Sequence, residues 1–104
     1  MSGDLGPRVG HLLRVDNYLD IATLSMWMNN PRADVLIGMA EASLRGPGPK
    51  GSDEDLLEKL RALVSEARSY HAAGDFPAAM ARLRVADSLV ALRIVRLAED
   101  RRHG

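Results

Sequence analysis

Few side chains in this sequence stand at a spacing that supports catalysis or metal binding. The three histidines, His11, His71 and His103, lie far apart, and no Glu-x-x-His pair of the di-iron helical-bundle type is present. Asp16 and Asp20 are four residues apart, so one helix places both carboxylates on the same face. There they either share a cation or form a solvated acidic edge, and the solvated edge is the commoner arrangement. We therefore expect no metal site.

The residue sets that enzymes use for nucleophilic or phosphate chemistry are also incomplete. The chain has no cysteine, and no Ser-His-Asp set assembles convincingly. His71 stands beside Tyr70 and near Asp75, which predicts a polar cluster at the end of a hairpin. Segment 46–51 is rich in Gly and Pro but lacks the preceding strand and the Lys-Ser/Thr ending of a phosphate-binding loop. We expect a non-enzymatic protein with no catalytic residue and no cofactor.

Arginines are concentrated towards the C-terminal end of the chain. Six arginines stand between positions 82 and 102, and Arg82, Arg93 and Arg96 fall near one azimuth of a helix. Such a basic stripe could bind the phosphates of nucleic acid. In the alternative, the arginines cover apolar surface with their stems or pair with the acidic start of the third helix. No aromatic residues are interleaved to stack on bases, so we prefer the alternative and keep nucleic-acid binding as a second hypothesis.

The composition limits the class of protein. A chain of 104 residues with 46% apolar residues fits one small folded domain. Its formal net charge of zero argues against a general affinity for nucleic acid. No apolar run approaches the ~20 residues of a membrane span, and the first residues lack the pattern of a secretory signal. We expect a cytoplasmic protein with no membrane segment, and the abundant Ala and Arg are typical of a GC-rich, bacterial coding sequence.

Helical periodicity on both sides of one linker predicts an all-α fold. The apolar residues recur at offsets of three and four, and no alternating apolar-polar run of the β type is present. The expected organisation is a single helical domain, 1–104, with a first hairpin at 7–45, the linker at 46–51 and a second hairpin at 52–101. The two hairpins should pack as a small four-helix bundle.

Local signals place the ends of these helices. Pro7 is suited to the first turn of the first helix, which should end near Asn29 because the following Asn-Pro sequence breaks it. Asn30 is then expected to cap a second helix. Ser52, with Asp55 three residues later, forms a variant of the capping box and predicts the start of the third helix.

The second hairpin has the more specific pattern. Gly74 can adopt the left-handed conformation that ends the third helix, and Asp75 can cap the fourth. Small residues should let the two helices approach closely, and these are Ala67, Ala79 and Ala86. Larger side chains should fill the seam between the helices, and these are Leu63, Tyr70, Phe76 and Leu83.

The order of these residues resembles one repeat of the tetratricopeptide (TPR) family, over roughly residues 60–93. The matching positions are Ala67, Tyr70, Gly74, Phe76, Ala79, Leu83 and Ala86. Glu66 stands where the family usually has Leu, no Pro ends the second helix, and no second copy of the pattern is visible. Because such repeats bury their cores by stacking on neighbours, a single TPR-like hairpin implies a packing motif and leaves the function open.

The first and last helices have more apolar residues than one small core can accommodate. A helix that is apolar around most of its circumference is buried on more than one side. We therefore predict a homodimer, with an interface drawn from Leu24, Trp27, Met28, Val85, Leu89 and Leu92. The alternative is a monomeric bundle whose interior takes up both apolar stripes.

These observations favour one function class over two others. We expect a self-associating helical protein–protein interaction module, either a small adaptor or a regulatory subunit, whose protein partner the sequence does not identify. The alternatives are a nucleic-acid-associated protein that uses the basic stripe, and a bundle that binds an apolar small ligand or assists an enzyme. The ligand pocket in the last case would lie near Met26, Trp27 and Met39.

Overall fold

The computed structural model describes residues 6–46 and 53–103, with side chains described as far as residue 100. These residues form four α-helices and no β-strand, so the predicted all-α fold is confirmed. The helices are α1 (Gly6–Trp27), α2 (Ala33–Ser43), α3 (Glu54–Ala72) and α4 (Phe76–His103).

The four helices pack as a bundle in which each helix contacts its two neighbours. α1 packs against α2 and α4, and α3 packs against the same two helices. At one end of the bundle, Trp27 at the close of α1 and Phe76 at the start of α4 line the same cavity. At the other end, Arg8 near the start of α1 and Arg93 on α4 bind the same carboxylate. α1 and α4 therefore run antiparallel.

The core draws apolar side chains from all four helices. In each helix they recur at offsets of three and four, which places them on one face. The largest of the fully buried residues are Leu12, Leu19, Ile37, Leu44, Leu57, Leu60 and Leu83. Burial of each such side chain contributes roughly 1.5–3 kcal/mol relative to leaving it in water, so this core is the main source of stability.

The connection between α1 and α2 differs from the sequence prediction. α1 ends two residues early, and Asn29 takes the left-handed conformation (φ 54°) while the Asn30 amide donates to the Ser25 carbonyl at 2.8 Å. Asn30 was predicted to cap α2, and this is wrong. Its Oδ1 accepts from the Arg32 amide at 2.8 Å within a turn, and the helix begins only at Ala33. The side-chain oxygen of Asn30 therefore accepts its hydrogen bond in the turn and caps no amide of the helix.

The turn between α3 and α4 confirms the prediction. Gly74 has φ 81°, and the Asp75 amide donates to the Tyr70 carbonyl at 2.9 Å. The Asp75 Oδ1 then accepts from the Ala78 amide at 3.3 Å, as a capping carboxylate does. The predicted end of α3 and start of α4 are therefore correct.

The seam between α3 and α4 is built as predicted except at one end. The small residues of the seam are all fully buried, and these are Ala67, Ala79 and Ala86. Leu83 is also fully buried, and Leu63 and Tyr70 pack against the core. Phe76 was predicted to fill the seam, but it is 49% exposed. It is the first residue of α4, so its ring lies past the end of the seam, 5.4 Å from the ring of His71. The resemblance to a TPR repeat stays a prediction.

The start of α3 lies at the edge of the described chain. Ser52, the predicted cap, and most of the predicted linker fall outside the described residues. α3 begins at Glu54, and Asp53 occupies the N-cap position without a capping hydrogen bond. Gly46, the last residue described before the gap, has φ 79° and accepts a 2.8 Å hydrogen bond from Arg61. This bond ties the end of the first hairpin to α3.

Candidate functional site

Large apolar side chains are exposed where α1 ends and α4 begins. Trp27 is 72% exposed and Met28 is 69% exposed, while Leu24 and Phe76 are each about half exposed. We call these four residues the Trp27 surface. A soluble monomer rarely leaves several large apolar side chains together in water, so this surface is a candidate binding site.

A cavity adjoins the Trp27 surface. It has a volume of about 410 Å³, and its wall includes Met26, Trp27, Phe76, Pro77 and Met80. Met26 packs against the core and forms the inner wall. Met39, which the sequence placed near this pocket, does not line it and instead lies 43% exposed on α2. A helical wheel fixes the face of Met39 on its own helix but not the neighbour it meets.

The groove beside this cavity has one charge of each sign. Trp27, Leu24 and Met80 line the groove, whose volume is about 300 Å³, together with the exposed side chains of Asp20 and Arg84. Within the described residues, neither Asp20 nor Arg84 takes part in an ion pair. The groove therefore has an apolar floor with one carboxylate and one guanidinium at its rim.

Three carboxylates cluster in the contact between α1 and α4, further along the helices from Trp27. Oxygen atoms of Asp16, Asp20 and Asp87 all lie within 4.8 Å of one another. Asp87 Oδ1 is buried without a hydrogen-bond partner. Burial, together with the two neighbouring carboxylates, raises the pKa of Asp87 to about 8. The oxygens are close enough to share a proton or a divalent cation, and the raised pKa favours a proton held on Asp87 at neutral pH.

The sequence indicated only part of this cluster. The spacing of Asp16 and Asp20 on one helix was visible, whereas Asp87 lies some seventy positions later in the sequence and joins them only through the packing of α4 on α1. The predicted alternatives for the pair, a shared cation or a solvated acidic edge, did not include a third carboxylate.

The predicted basic stripe is divided among different partners. Arg82 Nε donates to Glu66 at 2.8 Å, and its guanidinium lies 5.2 Å from the centre of the Tyr70 ring. Arg93 donates to two acidic residues at the start of α3. Arg96 is exposed and, in the described part of the chain, has no ion-pair partner. The stripe as a nucleic-acid site stays a prediction, with two of its three charges already paired inside the chain.

The acidic start of α3 pairs with Arg93, as the alternative interpretation of the basic stripe predicts, and Arg8 of α1 joins the same network without any signal in the sequence. Asp53 has a fully buried side chain and accepts from Arg8 at 2.6 Å and from Arg93 at 3.0 Å. Burial alone would raise the pKa of Asp53, but the hydrogen bonds and charges of Arg8 and Arg93 outweigh it, so the pKa is lowered. Arg93 also bonds Asp55 at 3.1 Å. The network joins α1, α3 and α4 at the end of the bundle opposite Trp27.

Four of the six residues predicted for the dimer interface line two separate grooves. Leu24 and Trp27 line the groove between α1 and α4. Leu89 and Leu92 line a different groove, between α3 and α4. Leu92 and Val85 are each about half exposed, whereas Leu89 packs partly buried against the core. The surplus of exposed apolar surface is therefore present, but it is not one patch.

No protein-family model, curated protein or solved structure matches this chain. Among the residues that the structure describes, no helix is long and apolar enough to cross a membrane.

Proposed function

We propose that this chain is a non-enzymatic, cytoplasmic protein–protein interaction module that forms a homodimer through the Trp27 surface. The observation that carries the proposal is the 72% exposure of Trp27 beside the equally exposed Met28. Trp is the residue type most enriched at the energetic centres of protein interfaces. Burial of each large apolar side chain would contribute at most roughly 1.5–3 kcal/mol, from which the entropy cost of association is subtracted.

The charges of the adjoining groove support a partner that is a second copy of the chain. In a two-fold interface each contact occurs twice, because the same patch faces itself. The groove carries both Asp20 and Arg84 at its rim. Asp20 can therefore meet Arg84 of the partner subunit on each side of the two-fold axis, which makes the surface complementary to itself in charge as well as apolar.

Light scattering of the unmodified protein across micromolar concentrations tests this proposal. We expect a mass of twice the 11.3 kDa of one chain. Trp27→Glu should give the single-chain mass, because it places a charge at the centre of the interface. Val35→Glu is the matched control, since Val35 is also exposed but lies on α2. A single-chain mass for the unmodified protein at every concentration would refute the homodimer.

The cavity beside Trp27 favours an apolar small ligand as the second candidate. Its volume of about 410 Å³ lies within the range of small-molecule pockets, ~300–1,000 Å³. Thermal melts in the presence of a panel of small apolar compounds test this candidate. A ligand that raises the midpoint of the unmodified protein but not of a Met80→Trp variant, which fills the cavity, would support it. If no compound raises the midpoint and Trp27→Glu is monomeric, the results favour the dimer interface over the ligand pocket.

A further inference from the structure

We propose that the groove between α3 and α4 binds an acidic amphipathic helix of another protein. This groove, which we call the α3–α4 groove, has a volume of about 190 Å³. Its lining residues come from both helices and are Asp55, Leu56, Lys59, Leu89, Leu92, Arg93 and Arg96. It lies on the side of α4 opposite the groove beside Trp27, so it is a second surface, independent of the proposed dimer.

The apolar part of the surface has the spacing of a helix-binding groove. Leu92 is 57% exposed and Val85 is 49% exposed, and their offset of seven positions puts both on one face of α4, about 10.5 Å apart along the helix axis. Leu89 lies between them and contributes the floor. An amphipathic helix presents its anchors at positions i, i+3 or i+4, and i+7, which matches this length.

The charges of the groove select an acidic partner. Lys59 on α3 and Arg96 on α4 are both exposed and, within the described part of the chain, neither has an ion-pair partner. Arg93 is already paired with Asp53 and Asp55, and Asp55 is the one acid in the lining, so Lys59 and Arg96 carry the net positive charge of the groove. Carboxylates on the edges of an incoming helix would meet Lys59 and Arg96 while its apolar face covers Leu92.

The same features disfavour the other occupants. The lining holds three basic side chains, Lys59, Arg93 and Arg96, against the single acid Asp55, so a second copy docked by this groove across a two-fold axis would bring more cations than carboxylates towards it. Nucleic acid would gain nothing from Val85 and Leu92, and no aromatic residue lines the groove for base stacking.

The test uses the full chain and a fluorescently labelled synthetic helix of about 18 residues, with Leu at alternating offsets of three and four and Glu on its flanks. We expect binding by fluorescence anisotropy that weakens with salt. Lys59→Glu and Arg96→Glu should each weaken it by about threefold to tenfold, since exposed ion pairs contribute modestly. Leu92→Ser should weaken it further. Arg14→Glu, an equal charge change at an exposed site on α1, should leave it unchanged.

Three results would overturn the proposal. The first is equal binding of a peptide with Lys in place of every Glu, which would show that charge plays no part. The second is a single-stranded DNA oligonucleotide that binds the groove and loses affinity in Arg96→Glu, which would assign the groove to nucleic acid. The third is a fall to the single-chain mass in Leu92→Ser, which would assign it to a second copy.

The two proposals fail separately. Trp27→Glu should be monomeric and still bind the acidic peptide, because Trp27 and Leu92 lie on opposite sides of α4. A monomeric unmodified protein that binds the peptide would refute the homodimer alone. A dimeric protein that does not bind the peptide would refute the groove alone.

Discussion

Replacing Asp87 by Asn should stabilise the protein, and the gain should grow with pH. Asp87 lies against Asp16 and Asp20 in the contact between α1 and α4, with one oxygen buried and unpartnered. On the same side of α4, Arg84 stands about one turn away. Arg82 and Arg93 are on the other side of α4, where they pair with Glu66 and Asp55 of α3. Asn keeps the shape of Asp, carries no charge at any pH, and its amide can donate to a neighbouring carboxylate.

The sign of the effect follows from the raised pKa of Asp87. Folding shifts this pKa from 3.8 to about 8, so the folded state holds a proton that the unfolded chain has lost. Stability from this proton is fully present below about pH 4 and is lost progressively as the pH rises to about 8. Above that pH the carboxyl of Asp87 is ionised in both states, so its effect on stability no longer changes with pH. The unmodified protein should therefore become less stable across this window, whereas Asp87→Asn should not.

The size of the effect has an upper limit. One unit of pKa shift corresponds to about 1.4 kcal/mol, so an unscreened Asp87 would cost roughly 4 kcal/mol at pH 7. Asp20 is exposed and Asp87 is only partly buried, so water screens the repulsion and we expect a gain of about 1–2 kcal/mol for Asp87→Asn at pH 8. At pH 4 the two proteins should be equally stable.

Urea denaturation followed by circular dichroism at several values from about pH 4 to pH 9 measures the free energy of unfolding directly. Glu58→Gln is the control, because Glu58 is an exposed acid on α3 away from the cluster. The reasoning is refuted if Asp87→Asn lowers stability at pH 8, or if the fall in stability between pH 4 and pH 8 persists in that variant.

Three other substitutions probe the turn and the buried ion pair by the same measurement. Gly74→Val should cost about 1 kcal/mol or more, because a branched side chain is strained at φ 81°, and an unchanged free energy of unfolding would contradict this. Asp75→Ala should cost about 1 kcal/mol through loss of the cap, with Asp75→Asn as the variant that retains it. Asp53→Asn should cost about 2–4 kcal/mol near neutral pH, because it leaves Arg8 and Arg93 without their shared anion. Because the pKa of Asp53 is lowered, this contribution is present above about pH 4 and is lost as the pH falls below it, so the cost of the substitution should shrink in acid.

Local features of the sequence determined the helices and the sharpest turn. The apolar residues of α3 recur at offsets of four, three and four in Leu56, Leu60, Leu63 and Ala67, and this periodicity fixes the face that packs on the core before any neighbour is known. Gly74 and Asp75 specify a turn because the left-handed conformation and the cap involve only a few adjacent residues. Asn30 shows the limit of such signals. Its side chain can bond any free amide within reach, and it uses the Arg32 amide, so the helix starts later than the sequence indicated.

The surplus of apolar residues on α1 and α4 was also visible in the sequence, since a helix with apolar residues on most faces cannot bury them all in one small core. The division of that surplus between two surfaces was not visible in the sequence. Trp27 and Leu92 appeared as parts of one interface, but α4 packs between α1 and α3 and leaves them on opposite sides.

Only the tertiary structure decided which charged groups meet. Asp53 binds Arg8 across 45 positions of sequence, and Asp87 joins Asp16 and Asp20 from the far end of the chain. A helical repeat fixes the direction of each side chain about its own axis, but the rotation and offset of one helix against another come from the packing of the whole core. The same packing sets how deeply each carboxylate is buried and which charge faces it. The opposite pKa shifts of Asp53 and Asp87 therefore arise from the bundle and not from any local sequence pattern.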